Sequence, residues 1–197
     1  MGFFNHAECA QFWENGNFLV PAPFPGGFAL VDTGERYGSW KVVGEPGNVS
    51  WTSGTRVHDG FSFPAQGNPT QAAGPWVNLA GISRSRTGIM HGPVPTTVGQ
   101  PYKLSFYVGN IVDPGHQYGT SSTVHVFENA TEIAVATNSN GSGTTVENWK
   151  PFSVTFNATD PYTTIVFING DAPDDMNCGL SNTVFGPSKS ASQVPTP

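Results

Sequence analysis

In the segment YKLSFYVGN, Tyr102, Leu104, Phe106 and Val108 alternate with Lys103, Ser105 and Tyr107. Strict alternation of this kind predicts a strand with one buried face and one wet face. Four large side chains on one face need an opposing layer, and three segments offer one. In PFSVTFNA, Phe152, Val154 and Phe156 alternate with Ser153 and Thr155; in TVHVF, Val124 and Val126 alternate with Thr123, His125 and Phe127; TTIVFI (163–168) is apolar on both faces and reads as a central strand. Shorter strands are expected at 18–20, 40–43, 76–79, 82–90 and 183–185, and no segment shows convincing helical period. The pattern predicts an all-β chain folded as an antiparallel β-sandwich, with Leu104, Phe106, Val108, Phe152, Val154, Phe156 and Phe167 in one core.

Gly (24) and Pro (17) punctuate these runs, which marks turns rather than disorder. The segments 52–74 and 111–121 read as long loops, 138–148 as a hairpin connection, and 171–179 as an acidic loop. Three parts follow: an apolar N-terminal arm at 1–14 that packs on the domain or on a neighbour, a sandwich at 15–186, and a flexible polar tail at 187–197.

Only 11 % of the chain is charged, so Ser, Thr, Asn and Gly must cover much of the surface, as in many extracellular β proteins. Eight basic residues without a cluster, at a net charge of −6, argue against nucleic acid and anionic membrane as partners. No apolar run is long enough for a transmembrane helix, so membrane insertion is not expected. Met1-Gly2-Phe3-Phe4 lacks the basic and apolar regions of a signal peptide, so the expectation is that a leader was removed or that another exit route is used. Cys9 and Cys178 lie near opposite ends of the chain and could pair as a disulfide if the sandwich termini meet; the alternative is two free thiols.

Catalytic motifs are missing from the sequence. Gly81-Ile-Ser83-Arg-Ser85 ends in the wrong residue for a nucleophile elbow, and no zinc spacing occurs. Asp171, Asp174, Asp175 and Asn177 concentrate hard oxygen donors in seven residues, a composition suited to a structural calcium ion; the competing reading is a solvated acidic turn. Sugar recognition needs flat rings beside hydroxyl-bonding groups. Tyr37, Trp40, Trp51 and Tyr118, with His58, Asp59 and Asn48 as polar partners, fall in irregular segments and form the expected ligand surface, whereas Trp76 and Trp149 abut strands and read as packing. The sequons at Asn48, Asn129, Asn140 and Asn157 matter only in a glycosylating host.

The order NGNF, GSW…VSW, WVNLAG, GQPYKLSFYVGN, NWKPFSVTFNAT, TTIVFI and CGLSNTVF resembles that of the DUF642 and choice-of-anchor C group of galactose-binding-like jelly rolls, over roughly residues 15–186. The resemblance implies an extracellular or wall-associated sandwich whose relatives are linked to polysaccharide binding. Related modules often hold a structural calcium with acids at the first and last strands; here Leu19, Asn78 and Ser181-Asn182 replace acidic positions of the pattern. The leading expectation is a non-catalytic extracellular module that binds a polysaccharide or glycan. The rival is a structural or interaction module of a virion, fibre or cell surface, in which the aromatic N-terminal arm joins copies into a homo-oligomer or larger assembly.

Overall fold

The computed structural model describes residues 13–19, 27–52, 56–58, 61–63, 75–111, 119–141, 145–173, 175 and 177–188, with backbone only for 56–58 and 61–63. It is an antiparallel jelly-roll β-sandwich; the described residues form fourteen strands, twelve of them in its two sheets. One sheet, the front sheet, has the order β1 (Phe28–Asp32), β4 (Asn48–Thr52), β7 (Trp76–Asn78), β14 (Gly179–Pro187), β9 (Pro101–Asn110), β12 (Asn148–Asn157). The back sheet runs β11 (Thr131–Asn138), β10 (Ser122–Glu128), β13 (Tyr162–Asn169), β8 (Thr87–Pro95), β3 (Trp40–Gly44), β2 (Arg36–Tyr37). A separate hairpin joins β5 (Arg56–His58) to β6 (Phe61–Phe63), inside the stretch expected to be all loop.

The alternation in β9 holds: Leu104, Phe106 and Val108 are buried, while Lys103 is exposed and Ser105 and Tyr107 half-buried on the other face. Two of the three candidate opposing segments do oppose it. β10 and β13 lie in the back sheet, and Phe167 meets Phe106 edge-on at 5.2 Å. The third does not. PFSVTFNA forms β12, which pairs directly with β9 in the same sheet, Phe152 opposite Phe106 and Val154 opposite Leu104. A strand with one apolar face fits equally well beside or across from its partner, so periodicity could not separate the two. As an edge strand, β12 leaves Phe152, Val154 and Phe156 only partly buried against the core.

Three boundaries also change. The strand expected at 82–90 starts later, at Thr87, because Leu79 to Arg86 form turns in which Arg84 takes a left-handed φ of 56°. The connection 138–148 is no hairpin, since β11 and β12 belong to different sheets. The short terminal strand is instead the nine-residue β14, central in the front sheet.

Of the expected N-terminal arm, Trp13 is described, and it packs on its own sandwich. Its Nε1–H donates to the Thr183 carbonyl and hydroxyl at 3.1 Å, and its ring meets Trp40, His91 and Phe185. Phe18 is not in a strand. It holds a left-handed φ of 60°, uncommon for a bulky residue, with its ring clamped between Trp40 and Trp51 at 5.3 and 5.1 Å. Residues 1–12 and 189–197 lie outside the described part.

Candidate functional site

The ligand surface expected from the sequence is not where the structure puts exposed rings. Trp40 and Trp51 are core residues, at 0 % and 1 % exposure. Trp40 Nε1–H donates to the Asn15 carbonyl at 3.0 Å and Trp51 Nε1–H to the Phe18 carbonyl at 3.2 Å, so both indoles anchor the N-terminal turn to the sandwich. Each sits at an inward position of a strand, β3 or β4. Tyr37 packs against Trp51 at 4.7 Å between ring centroids. Asn48 braces a turn, its Oδ1 accepting from the Ile82 N–H at 3.0 Å. The His58 side chain, Asp59 and Tyr118 lie outside the described residues.

The acidic loop is also not a solvated turn. Asp175, Asn177 and Cys178 are buried. Asp171 Oδ1 accepts from the Thr123 N–H, Asp175 Oδ1 accepts from the Asn177 N–H at 3.0 Å, and Asn177 Nδ2 donates to Glu147 Oε1 at 2.9 Å. These side chains are directed to separate partners, and among the described residues no group of three His, Cys, Asp or Glu side chains converges as a metal-ligand set. Asp174, the fourth member of the calcium set expected from composition, lies outside the described part. Cys178 is a buried free thiol whose Sγ–H donates to the Thr123 carbonyl at 3.4 Å, in place of the expected bond to Cys9, which lies outside the described residues. Burial, reinforced by the nearby Asp171 and Asp175, pushes this thiol well above its ordinary range, so it is a poor nucleophile.

Two features mark the outer face of the front sheet. The first is a shallow groove of about 560 Å³ across β12, β9 and β14, lined by Lys103, Ser105, Tyr107, Ser153, Asn182 and Val184 among others. Asn182 reaches this face because β14 shifts register between Ser181 and Val184, with Asn182 at a left-handed φ of 52°. Tyr107 is half-buried in the groove, flanked by an ammonium, hydroxyls and an amide. Its signal was legible: it is the aromatic on the otherwise polar face of the most regular strand in the chain.

The second feature lies two residues further along the same face of β9. There Trp149 covers Gly109 and Gly179; a methyl on either glycine would come within 3.0 Å of the indole and against Glu147 Oε1. Trp76 meets Trp149 edge-on at 5.7 Å, so the pair read as core packing belongs to the outer face. Glu147, placed just before β12, is 3 % exposed. Its Oε1 takes the Asn177 amide, while its Oε2 and the Asn177 Oδ1 have no hydrogen-bond partner among the described residues. Burial pushes the Glu147 carboxyl up to about 8, with the Asn177 amide only partly opposing the shift. Nothing in NSNGSGTTVEN marks this glutamate as buried; only the crossover from β11 to β12 brings it over the sheet.

No protein-family model matches the sequence, and a search of curated proteins finds no match. Among solved structures, a cyclase from Fischerella sp. TAU in complex with 4-(1H-indol-3-yl)butan-2-one is similar at 14 % identity, over 90 % of this chain and 97 % of that one, with a TM-score of 0.56. A CBM4 structure is similar at 15 % identity, over 71 % and 87 %, with a TM-score of 0.40. The EclA C-terminal domain, a sugar-binding protein, is similar at 14 % identity with a TM-score of 0.39; the match covers 49 % of this chain and 64 % of that one. The cyclase likeness shows a shared fold, and the two lower scores carry no further weight.

Proposed function

We propose that the chain is a non-catalytic carbohydrate-binding β-sandwich, acting outside the cell or on a cell or virion surface, and that the groove around Tyr107 is its sugar platform. The observation that carries this reading is the groove itself. A phenol ring on the outer face of a rigid strand is surrounded by Lys103, Ser105, Ser153 and Asn182, side chains able to bond sugar hydroxyls. A shallow groove floored by strands suits an extended chain of sugar rings, because such ligands present an apolar face to stack and a polar edge to bond. The motif resemblance to the DUF642-like group supports the same reading.

The test is calorimetric titration with neutral glucose, xylose and galactose hexasaccharides at pH 6. At least one should bind, and Tyr107→Ala should weaken it at least tenfold with the melting temperature preserved within about 2 °C. Binding that survives Tyr107→Ala unchanged, or that occurs with none of the three sugars, would sink the platform.

A further inference from the structure

The outer face of the back sheet, on the far side of the sandwich from the groove, is apolar where the wet face of an antiparallel sheet is ordinarily polar. TTIVFI is apolar on both faces, and the sandwich covers only one of them: Ile165 and Phe167 are buried inside, while Val166 and Ile168 point outward and are half-buried. The neighbouring strands continue the patch. Strand pairing sets Arg36, Lys41, Met90, Val166, Phe127 and Glu132 side by side in one row across β2, β3, β8, β13, β10 and β11. Two residues along each strand, Val43, Ile168, His125 and Val135 form a second row, in which Ile168 lies over Gly88 and Val135 is 54 % exposed. We propose that this face is the interface of a homodimer, in which a second copy stacks its own back sheet here around a two-fold axis parallel to the strands.

The order of charges names the occupant. The first row is basic at its β2–β3 end, apolar in the middle and acidic at its β11 end. Neither Arg36 nor Lys41 pairs with a carboxylate among the described residues, and Glu132 has the His125 ring beside it at 3.2 Å. A half-turn around an axis along the strands, through the gap between β8 and β13, lays the row on itself in reverse. Arg36 then faces Glu132 of the second copy, Lys41 faces its Phe127, and Met90 faces its Val166. Each flank closes on an ion pair, each Lys41 ammonium gains an aromatic ring, and the apolar middle is sealed between them. An axis across the strands would instead set Arg36 on Arg36 and Glu132 on Glu132, and like charges in register disfavour it.

The size of the face agrees. Its six strands, about 4.8 Å apart, and about six residues along them at about 3.3 Å each give about 600 Å² per copy, so the pair buries about 1,200 Å², the low end of a specific interface. A micromolar dimer is therefore expected. Both Tyr107 grooves lie on front sheets and point away from the interface, so the dimer stands or falls apart from sugar binding.

The experiment is sedimentation velocity on the full chain from about 1 μM to about 1 mM, where the wild type should pass from monomer to dimer. Val166→Lys, which sets an ammonium in the apolar middle, should leave monomer throughout. Arg36→Glu and Glu132→Arg should each weaken the dimer at least tenfold. The two together exchange the signs and should bring the affinity back to within about threefold of the wild type. All three positions face outward, so the circular dichroism spectrum of each variant should match that of the wild type. A wild type that stays monomeric at about 1 mM, a dimer indifferent to Val166→Lys, or a double exchange no tighter than the single ones overturns the interface.

Discussion

Replacing Trp51 by alanine separates a core residue from a binding residue. Trp51 points into the sandwich from β4, 1 % exposed, in edge-on contact with Phe18 at 5.1 Å and packed on Tyr37 at 4.7 Å. Truncating a buried tryptophan costs about 3–5 kcal/mol through lost transfer energy and the cavity left behind. The Phe18 carbonyl also loses its donor in a buried place, which adds about 1–3 kcal/mol. The total approaches the whole stability of a typical domain, about 5–15 kcal/mol. Urea unfolding followed by far-ultraviolet circular dichroism should show the midpoint falling by about 2–4 M, taking a slope of about 2 kcal/mol/M. Trp51→Phe keeps most of the ring but not the hydrogen bond, and should lose about 1–3 kcal/mol, less than Trp51→Ala. A Trp51→Ala midpoint within about 0.3 M of the wild type, with sugar binding lost, would refute the argument and restore Trp51 as a platform.

Two further outcomes follow from the same structure. Glu147 and Asp171 both titrate near 8 in the folded chain, raised from 4.5 and 3.8, so the folded state holds extra protons; the stability they add is full below about pH 4 and is lost as pH rises through about 8. Between pH 6.5 and 8.5, above the range where buried His91 titrates, the melting temperature should therefore fall, and fall less in Glu147→Gln; a flat or rising profile contradicts the buried acids. Gly88→Ala would drive a methyl into the Phe167 carbonyl and the Ile168 backbone of β13, and should cost several kcal/mol in a urea melt, whereas Gly186→Ala meets open space and should stay within about 0.5 kcal/mol; equal effects would show that the β8–β13 approach is looser than described.

Local chemistry in the sequence reached as far as the strands. The two-residue period of 102–108 needs no tertiary information, because alternate side chains of an extended chain leave on opposite sides; it specified β9, its buried face, and the polar face on which Tyr107 stands. The same period in β10 and β12 and the apolar run of β13, with the turns between them, determined an antiparallel sandwich. What periodicity lacks is any record of which strand lies beside which. Phe152 therefore came out next to Phe106 rather than across from it, and the 138–148 connection crossed between sheets. Burial of tryptophans was equally out of reach: Trp40 opens a short expected strand and Trp51 ends a loop-rich stretch, and nothing local shows that the N-terminal turn folds onto both. The site is a tertiary product throughout. Tyr107 and Asn182 share a groove because β14 inserts beside β9, and Glu147 meets Asn177 because the β11–β12 crossover and the β13–β14 loop converge over two glycines of the front sheet. Residues 30 positions apart in the chain carry no local signal of such a meeting, since it depends on sheet order.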